Sequence, residues 1–219
     1  MRPSRVVTAA LLTTFSVAAG AASFDCSKAA KPLEKLICSD PALDAADTQM
    51  GELYKQTNAS FPVKGFVTST QKAFNAGYST CLIDGRGKPQ TGAAAVRQCL
   101  TSINGRIAEL QAMAQARVYS NAKGKFTPED VVILVYRANE QNRIRFWGSW
   151  MPDAYQPKAF PDGFICDIDE ALMPVKGGFK TAQTDETVIQ ISEAAVKLSE
   201  YIMCSPRNGI AEDSYPRMR

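Results

Sequence analysis

FDCSKAAKPLEKLICSDPALDAADTQMGELY, residues Phe24–Tyr54, decides how the chain begins to fold. Pro32 suits the first position of a short helix, LEKLIC, because the N–H that proline lacks would be unpaired there anyway. Asp40-Pro41 repeats the device: Asp40 can cap free backbone N–H groups and Pro41 opens the helix behind it. That second helix places Leu43, Ala46, Met50, Leu53 and Tyr54 on one face at three- and four-residue spacing. Asp44, Asp47, Gln49 and Glu52 fall largely on the other face, which makes Asp47 and Glu52 surface positions of the expected elbow. The product is a helical elbow with Cys26 before it and Cys38 at its corner.

Outward from the elbow, Ser60–Gly65 is a short connection and Val67–Leu82 a third helix, with Val67, Thr70, Phe74, Tyr78 and Cys81 on one face. Asp84–Pro89 is turn-rich. Ala93–Val118 is the longest helical pattern, striped by Val96, Cys99, Leu100, Ile103, Ile107, Leu110 and Ala114. Gly105 weakens it by about 1 kcal/mol relative to alanine. One apolar stripe per helix predicts a small bundle. Near Tyr119 the character changes, and Ser120–Lys125 is a polar, helix-poor boundary. Val131–Tyr136, Arg143–Trp147, Phe164–Cys166, Phe179–Thr181, Thr187–Ile191 and Val196–Ser199 then alternate or run apolar between turn residues, as short strands do. The expected class is α+β: a disulfide-stapled small helical bundle (23–119), followed by a small antiparallel β-meander or barrel domain (126–219).

Residues 1–22 have the layout of a secretory signal peptide. Arg2 and Arg5 form a positive start, Val6–Ala18 is apolar but short for a membrane span, and Ala19–Ala22 offers small residues for cleavage. The expected location is therefore periplasmic or secreted, with cleavage leaving Ala22 or Ser23 first and no membrane span afterwards. Six cysteines in an exported chain imply a disulfide framework with fifteen possible pairings. Cys26–Cys38, Cys81–Cys99 and Cys166–Cys204 are the expected three. Cys81 and Cys99 flank the Asp84–Gly92 loop, so antiparallel helices would bring them level. Cys26 and Cys38 can meet only if the helix starts near Pro32, since a straight helix would part them by about 18 Å.

The same residues carry a resemblance. Phe24-Asp25-Cys26, Lys28-Ala29, Glu34-Lys35, Ile37-Cys38, Asp40, Leu43, Asp47 and Leu53-Tyr54, then Cys81, Cys99-Leu100, Arg106-Ile107 and Leu110, resemble the N-terminal domain of the LprI-type lysozyme-inhibitor family. The match spans roughly residues 24–114. It departs from the family pattern at Phe74, where a tryptophan is usual, and at Tyr78, where an arginine is. The later strands, with Cys204, Gly209 and Tyr215, look more loosely like the β-domain that follows the helical module in relatives. The resemblance implies an exported inhibitor of a lysozyme-type, muramidase cell-wall hydrolase as protein partner.

Composition narrows the function classes. The chain has no histidine, which excludes a Ser–His–Asp triad, a Cys–His pair and a histidine-ligated zinc site. No phosphate-binding glycine loop is present, so no cofactor is expected. The formal charge is +3, and loss of Arg2 and Arg5 would take two from the 25 basic residues, against 22 acidic ones; a nucleic-acid binder normally shows a larger basic excess. Asp167, Asp169 and Glu170 form the densest acidic group. A hydrolase built on Asp167 and Glu170 is the weakest class, because such groups are more often a solvated strand edge. Trp147 and Trp150, with Phe146 and Tyr155, form the richest aromatic cluster, which is either β-domain core or an interface anchor for a partner or glycan. Ser205-Pro206-Arg207-Asn208, directly after Cys204, is a stiff polar turn. Arg207 at its tip, then Lys197, with Ser205 and Asn208, are the candidates for entering a carboxylate-lined groove. The alternative function is an envelope module that binds glycan or a partner protein without catalysis.

Overall fold

The structure, a computed structural model, describes residues 23–127, 130–148, 166–184, 187–200, 202–205, 208–210 and 213–219, with the backbone alone at 203–205 and 208–209. It is α+β, with four α-helices, two larger antiparallel sheets and a two-stranded antiparallel ribbon among the described residues.

The elbow forms as its punctuation dictates. After a 3-10 turn at Cys26–Lys28, helix α1 (Pro32–Ser39) starts on Pro32, and the Glu34 carboxylate reaches back to the N–H groups of Ala30 and Lys31 at 2.9 and 3.0 Å. Those two hydrogen bonds hold the Glu34 carboxyl below the usual carboxylate range. Helix α2 (Pro41–Ser60) starts on Pro41, and Asp40 Oδ1 accepts from Ala42 and Leu43 at 3.0 and 3.1 Å. The corner lets the Cys26–Cys38 disulfide close across a Cα–Cα distance of 5.7 Å. One correction concerns Asp47. It is buried, not on the outer face, because it accepts from the backbone nitrogen of Ser23 at 2.7 Å where the chain enters the elbow.

Helix α3 (Phe66–Tyr78) is shorter than the pattern suggested, since Ser79–Leu82 tightens into a 3-10 turn that carries Cys81. In the loop beyond it, Asp84 Oδ1 accepts from the N–H groups of Arg86 and Lys88, both at 2.8 Å. Helix α4 (Gly92–Gln115) then returns antiparallel, and Cys81–Cys99 closes at 4.9 Å between Cα atoms. Helix α4 stops at Gln115 rather than Val118, and its last buried turn uses Met113 while Ala114 is exposed. Arg117–Ser120 is strand β1 instead, paired with β2 (Val132–Ala138).

Strand β3 (Gln141–Gly148) follows β2 through a two-residue turn, and β4 (Cys166–Ala171) completes a sheet of order β1-β2-β3-β4. At the turn, Asn139 and Glu140 both adopt positive φ, 48° and 64°, the geometry a tight hairpin demands. The second sheet contains β5 (Met173–Val175), β6 (Gly178–Lys180), β7 (Ile189–Ile191), β8 (Ala195–Leu198) and β11 (Ser214–Pro216), with β11 beside β8. Strands β9 (Ile202–Ser205) and β10 (Asn208–Ile210) form a two-stranded ribbon. The first sheet is an open meander, as is the second from β5 to β8, where β11 returns beside β8 after the β9–β10 ribbon; of the two expected forms, meander or barrel, the described strands form no closed barrel. At Gly178 only glycine fits, because a Cβ would stand 2.5 Å from the Ile189 carbonyl oxygen on the neighbouring strand.

Period-two alternation divides the first sheet between two cores. Val132, Leu134 and Tyr136 of β2 pack on the helices, beside Leu43, Phe66, Ile103 and Leu110. Ile133, Val135, Ile144, Phe146 and Ile168 point the other way, into a core shared with Ile189, Val196, Leu198 and Tyr215 of the second sheet. The order is therefore helices, sheet, sheet. The C-terminus ties the two sheets: Met218 N–H donates to the Val118 carbonyl and Arg217 N–H to that of Ala194, both at 2.8 Å. Cys166 is disulfide-bonded as well. The side chain of Cys204, its expected partner, lies outside the described ones.

Because Asp40 caps two donors of α2, Asp40→Ala should lower stability by about 1 kcal/mol. Urea denaturation should show a lower midpoint at unchanged slope.

Candidate functional site

On its helix-facing side the first sheet is apolar at one end and charged at the other. Arg143, Arg145 and Trp147 of β3 alternate with Ile144 and Phe146, and Asp167 and Asp169 of β4 alternate with Ile168. The register places Arg145 opposite Asp169 and Trp147 opposite Asp167. Arg145 crosses diagonally to Asp167, with Nε to Oδ1 at 2.6 Å and Nη2 to Oδ2 at 2.5 Å. Arg143 reaches Asp169 through Nε at 2.9 Å and that residue's carbonyl through Nη2 at 2.9 Å. The Tyr136 hydroxyl donates to the other Asp169 oxygen at 2.6 Å.

Helix α4 completes the network. Arg106 is buried at 2 % exposure and donates to Gln71 Oε1 at 3.0 Å, Thr70 Oγ1 at 2.9 Å and Glu109 Oε2 at 2.5 Å. The second oxygen of Glu109 holds Arg145. One continuous row, Arg106–Glu109–Arg145–Asp167, thus runs from the helices into the sheet. Aromatic rings flank it: Arg106 lies 6.0 Å from the centre of the Phe74 ring and Arg145 5.8 Å from that of Trp147. Burial works against the charge on Arg145, but the hydrogen bond to Asp167 and the charge of Glu109 outweigh it, so its pKa lies above the ordinary arginine value. Burial, with Glu109 and Asp169 adding like charge, pushes the Asp167 carboxyl above the usual range despite Arg145. Burial and the hydrogen bond to Asp169 push the Tyr136 hydroxyl up to about 12.

Above this row a groove of about 600 Å³ opens between α4 and the β2–β3 hairpin. Its helical wall is built from Gly105, Ala108 and Ala112, whose small side chains leave the space unfilled, with Gln111 and Gln115 at the rim. Its sheet wall carries Tyr136, Arg137, Arg143, Arg145 and Asp169, with Asn139 at the hairpin tip. Arg137 is exposed and forms no salt bridge among the described residues. The arrangement suits binding through planar polar groups beside a tyrosine ring. Among the described residues no group of three or more Cys, Asp or Glu could hold a metal ion.

The sequence-derived candidates are spread out. Trp147 packs edge-on against Phe66, with 5.7 Å between ring centres, at the join of helices and sheet. Lys197 is exposed on β8, opposite Gln190 and Ser214. Ser205 and Asn208 face each other across the β9–β10 ribbon at a bulge. Trp150, Tyr155 and Arg207 lie outside the described residues. Asp167 and Glu170, three apart on one strand, fall on opposite faces and do not form a facing pair. Strand β4 does lie at an edge of its sheet, yet Asp167 and Asp169 are bridged to arginines rather than merely solvated. The groove itself escaped the sequence reading. Its signal was charge at period two on two neighbouring strands, Arg143-x-Arg145 and Asp167-x-Asp169.

What fold and site define is a disulfide-stapled α+β protein with a polar groove between its helices and its first sheet. Compared with protein-family models, with curated proteins and with solved structures, the chain matches none.

Glu109 separates two arginines that are almost wholly shielded from water. Glu109→Gln should therefore destabilise the fold by about 3 kcal/mol, read from urea midpoints, whereas Lys197→Gln should change it by less than about 0.5 kcal/mol. A second expectation concerns alkaline pH. Tyr136 keeps its proton in the folded protein up to about 12, while an unfolded tyrosine releases it near 10.0. Between those values the folded state holds more protons, so stability should fall as pH rises. Tyr136→Phe should flatten that decline in denaturation curves.

Proposed function

We propose that the chain is an exported, non-catalytic inhibitor of a lysozyme-type, muramidase cell-wall hydrolase, and that it works by occluding the enzyme's active-site groove. The observation that carries the reading is the elbow. The residues through which the chain resembles the lysozyme-inhibitor family build its frame: Cys26 and Cys38 staple it, Glu34 and Asp40 cap its helices, Leu43 fills its core, and Asp47 holds the incoming chain. Arg106 and Leu110, also part of that resemblance, are buried on α4. Closed disulfides fit an oxidising compartment such as the periplasm or the cell exterior. Among the described residues no helix is long and apolar enough to cross a membrane. Non-catalytic action is supported by a chain without histidine and by the opposed faces of Asp167 and Glu170.

The target works through carboxylates in a cleft, so a cation on a stiff loop is the natural plug. Arg207, beside Pro206 and three residues after Cys204, is the first candidate and Lys197 the second. A second reading, an envelope module that binds glycan, is supported by the groove of Tyr136, Arg143 and Asp169.

A lysozyme turbidity assay across several lysozyme classes tests the first reading. Wild type should inhibit at micromolar concentration or better. Arg207→Ala should weaken inhibition about ten- to a hundredfold without unfolding the chain. Wild type that inhibits no lysozyme, but is retained on peptidoglycan and released by Arg143→Ala, would transfer the assignment to the glycan-binding module.

A further inference from the structure

Asp47 is a buried carboxylate outside the charge row that joins helices to sheet. It is 4 % exposed, and no lysine or arginine among the described residues forms a salt bridge with it. The hydrogen bond described for it comes from the backbone nitrogen of Ser23, 2.7 Å from Oδ2. One turn earlier on α2, Asp44 Oδ1 is buried without a hydrogen-bond partner among the described residues, and so is the hydroxyl of Tyr78. Tyr78 is 7 % exposed, and burial, with the charge of Asp47 adding to it, raises its pKa.

The helix makes room for Ser23. Gly51 lies one turn beyond Asp47, inside α2, where glycine is a weak helix former. A Cβ on Gly51 would stand 3.0 Å from the Cβ of Ser23. The start of the described chain is therefore seated on α2, with its nitrogen aimed at a buried negative charge. An amide nitrogen offers that charge one neutral N–H. An ammonium there would offer three donors and a full positive charge. Ser23 directly follows Gly20-Ala21-Ala22, small residues suited to leader cleavage.

We propose that the leader is cut between Ala22 and Ser23, and that the α-ammonium so created is the counter-ion of Asp47. Processing then locks the first residue of the mature chain onto α2, the second arm of the stapled elbow. This rests on the export part of the proposed function, but not on any lysozyme. In the cut, a leader peptidase adds water across the Ala22–Ser23 peptide bond. The hydroxyl goes to the Ala22 carbonyl carbon, which departs as a carboxylate. The Ser23 nitrogen keeps the bonding electron pair and is protonated, since a free α-amine has a pKa of about 8. The group that faces the ammonium is the Asp47 carboxylate, with Asp44 one turn earlier on the same helix. In the uncut chain the same nitrogen is a neutral amide, so the ion pair exists only after processing.

The test uses the full-length chain, expressed in a bacterial host that exports it. Intact mass and N-terminal sequencing of the purified product should give Ser23 as its first residue. A second precursor has Gln-Thr inserted after Ala22, so that cleavage leaves the ammonium two residues away from its seat. Its folding equilibrium constant should be about tenfold or more below that of wild type. In an Asp47→Asn background the two chains should be equally stable. If Asp47→Asn does not fold, selective Nα-acetylation of the wild-type terminus takes its place and should cause the same loss. A mature chain that begins elsewhere overturns the proposal while leaving export intact. So does an extended or acetylated chain as stable as wild type, or a difference that survives Asp47→Asn. A full-length chain retained in the cytoplasm overturns both this proposal and the export reading.

Discussion

A guanidinium removed from water needs partners for its charge and its donors, and Arg106 imposes that condition on the helical layer and the sheet beside it. It sits on α4 at the centre of the helical layer. Its partners come from α3, through Thr70 and Gln71, and from its own helix, through Glu109. Glu109 cannot serve Arg106 alone, because its second oxygen is already committed to Arg145 on β3. Arg145 in turn fixes Asp167 on β4. Four charged side chains therefore set the rotation of α4 about its axis and its position along the sheet. Apolar packing by Leu110, Ile103 and Leu134 supplies adhesion between the layers, but non-directional contacts would tolerate a shift along the helix. The charge row does not.

Beside the row, small residues of α4 explain why a groove exists. Where α4 presents Ile103, Ile107 and Leu110, helix and sheet close on each other. Where it presents Gly105, Ala108 and Ala112, nothing fills the gap, and the β2–β3 hairpin projects beside it. The hairpin turn places Asn139 and Glu140 in the left-handed region, conformations that L residues adopt at some cost. Asparagine bears that cost readily and glutamate less so. The tip at the groove mouth is thus held in shape by the strands behind it rather than by the preference of its own residues.

The elbow at the other end of the helical layer obeys local rules almost throughout. Proline opens both helices, a carboxylate caps each, and a disulfide fixes the corner. Beyond its packing on α3 and α4, the chain entering it is seated by a long-range contact of Ser23 with Asp47 and Gly51. That contact turns a surface position of the helical pattern into a buried one, which periodicity alone does not reveal.

What the residues determine by themselves is whatever depends on near neighbours in the chain. Pro32, Pro41 and Asp40 set the helix starts, the apolar stripe from Cys99 to Leu110 sets the inner face of α4, and Cys81 and Cys99 find each other because one short loop lies between them. The alternation Arg143–Trp147 likewise shows that two sets of side chains face opposite ways. The tertiary structure alone decides which face meets the helices. Both faces of β2 are apolar, so the strand is equally suited to either core, and only docking of α4 assigns Leu134 to one and Ile133 to the other. Helix α4 ends at Gln115 because Arg117–Ser120 gains a strand partner in β2, a contact invisible to helical periodicity. Asp167 looks like a solvated edge in sequence because Arg145 lies 22 positions away and Glu109 further still. Pairing across such separations follows from strand register and layer packing, and those are properties of the assembled fold.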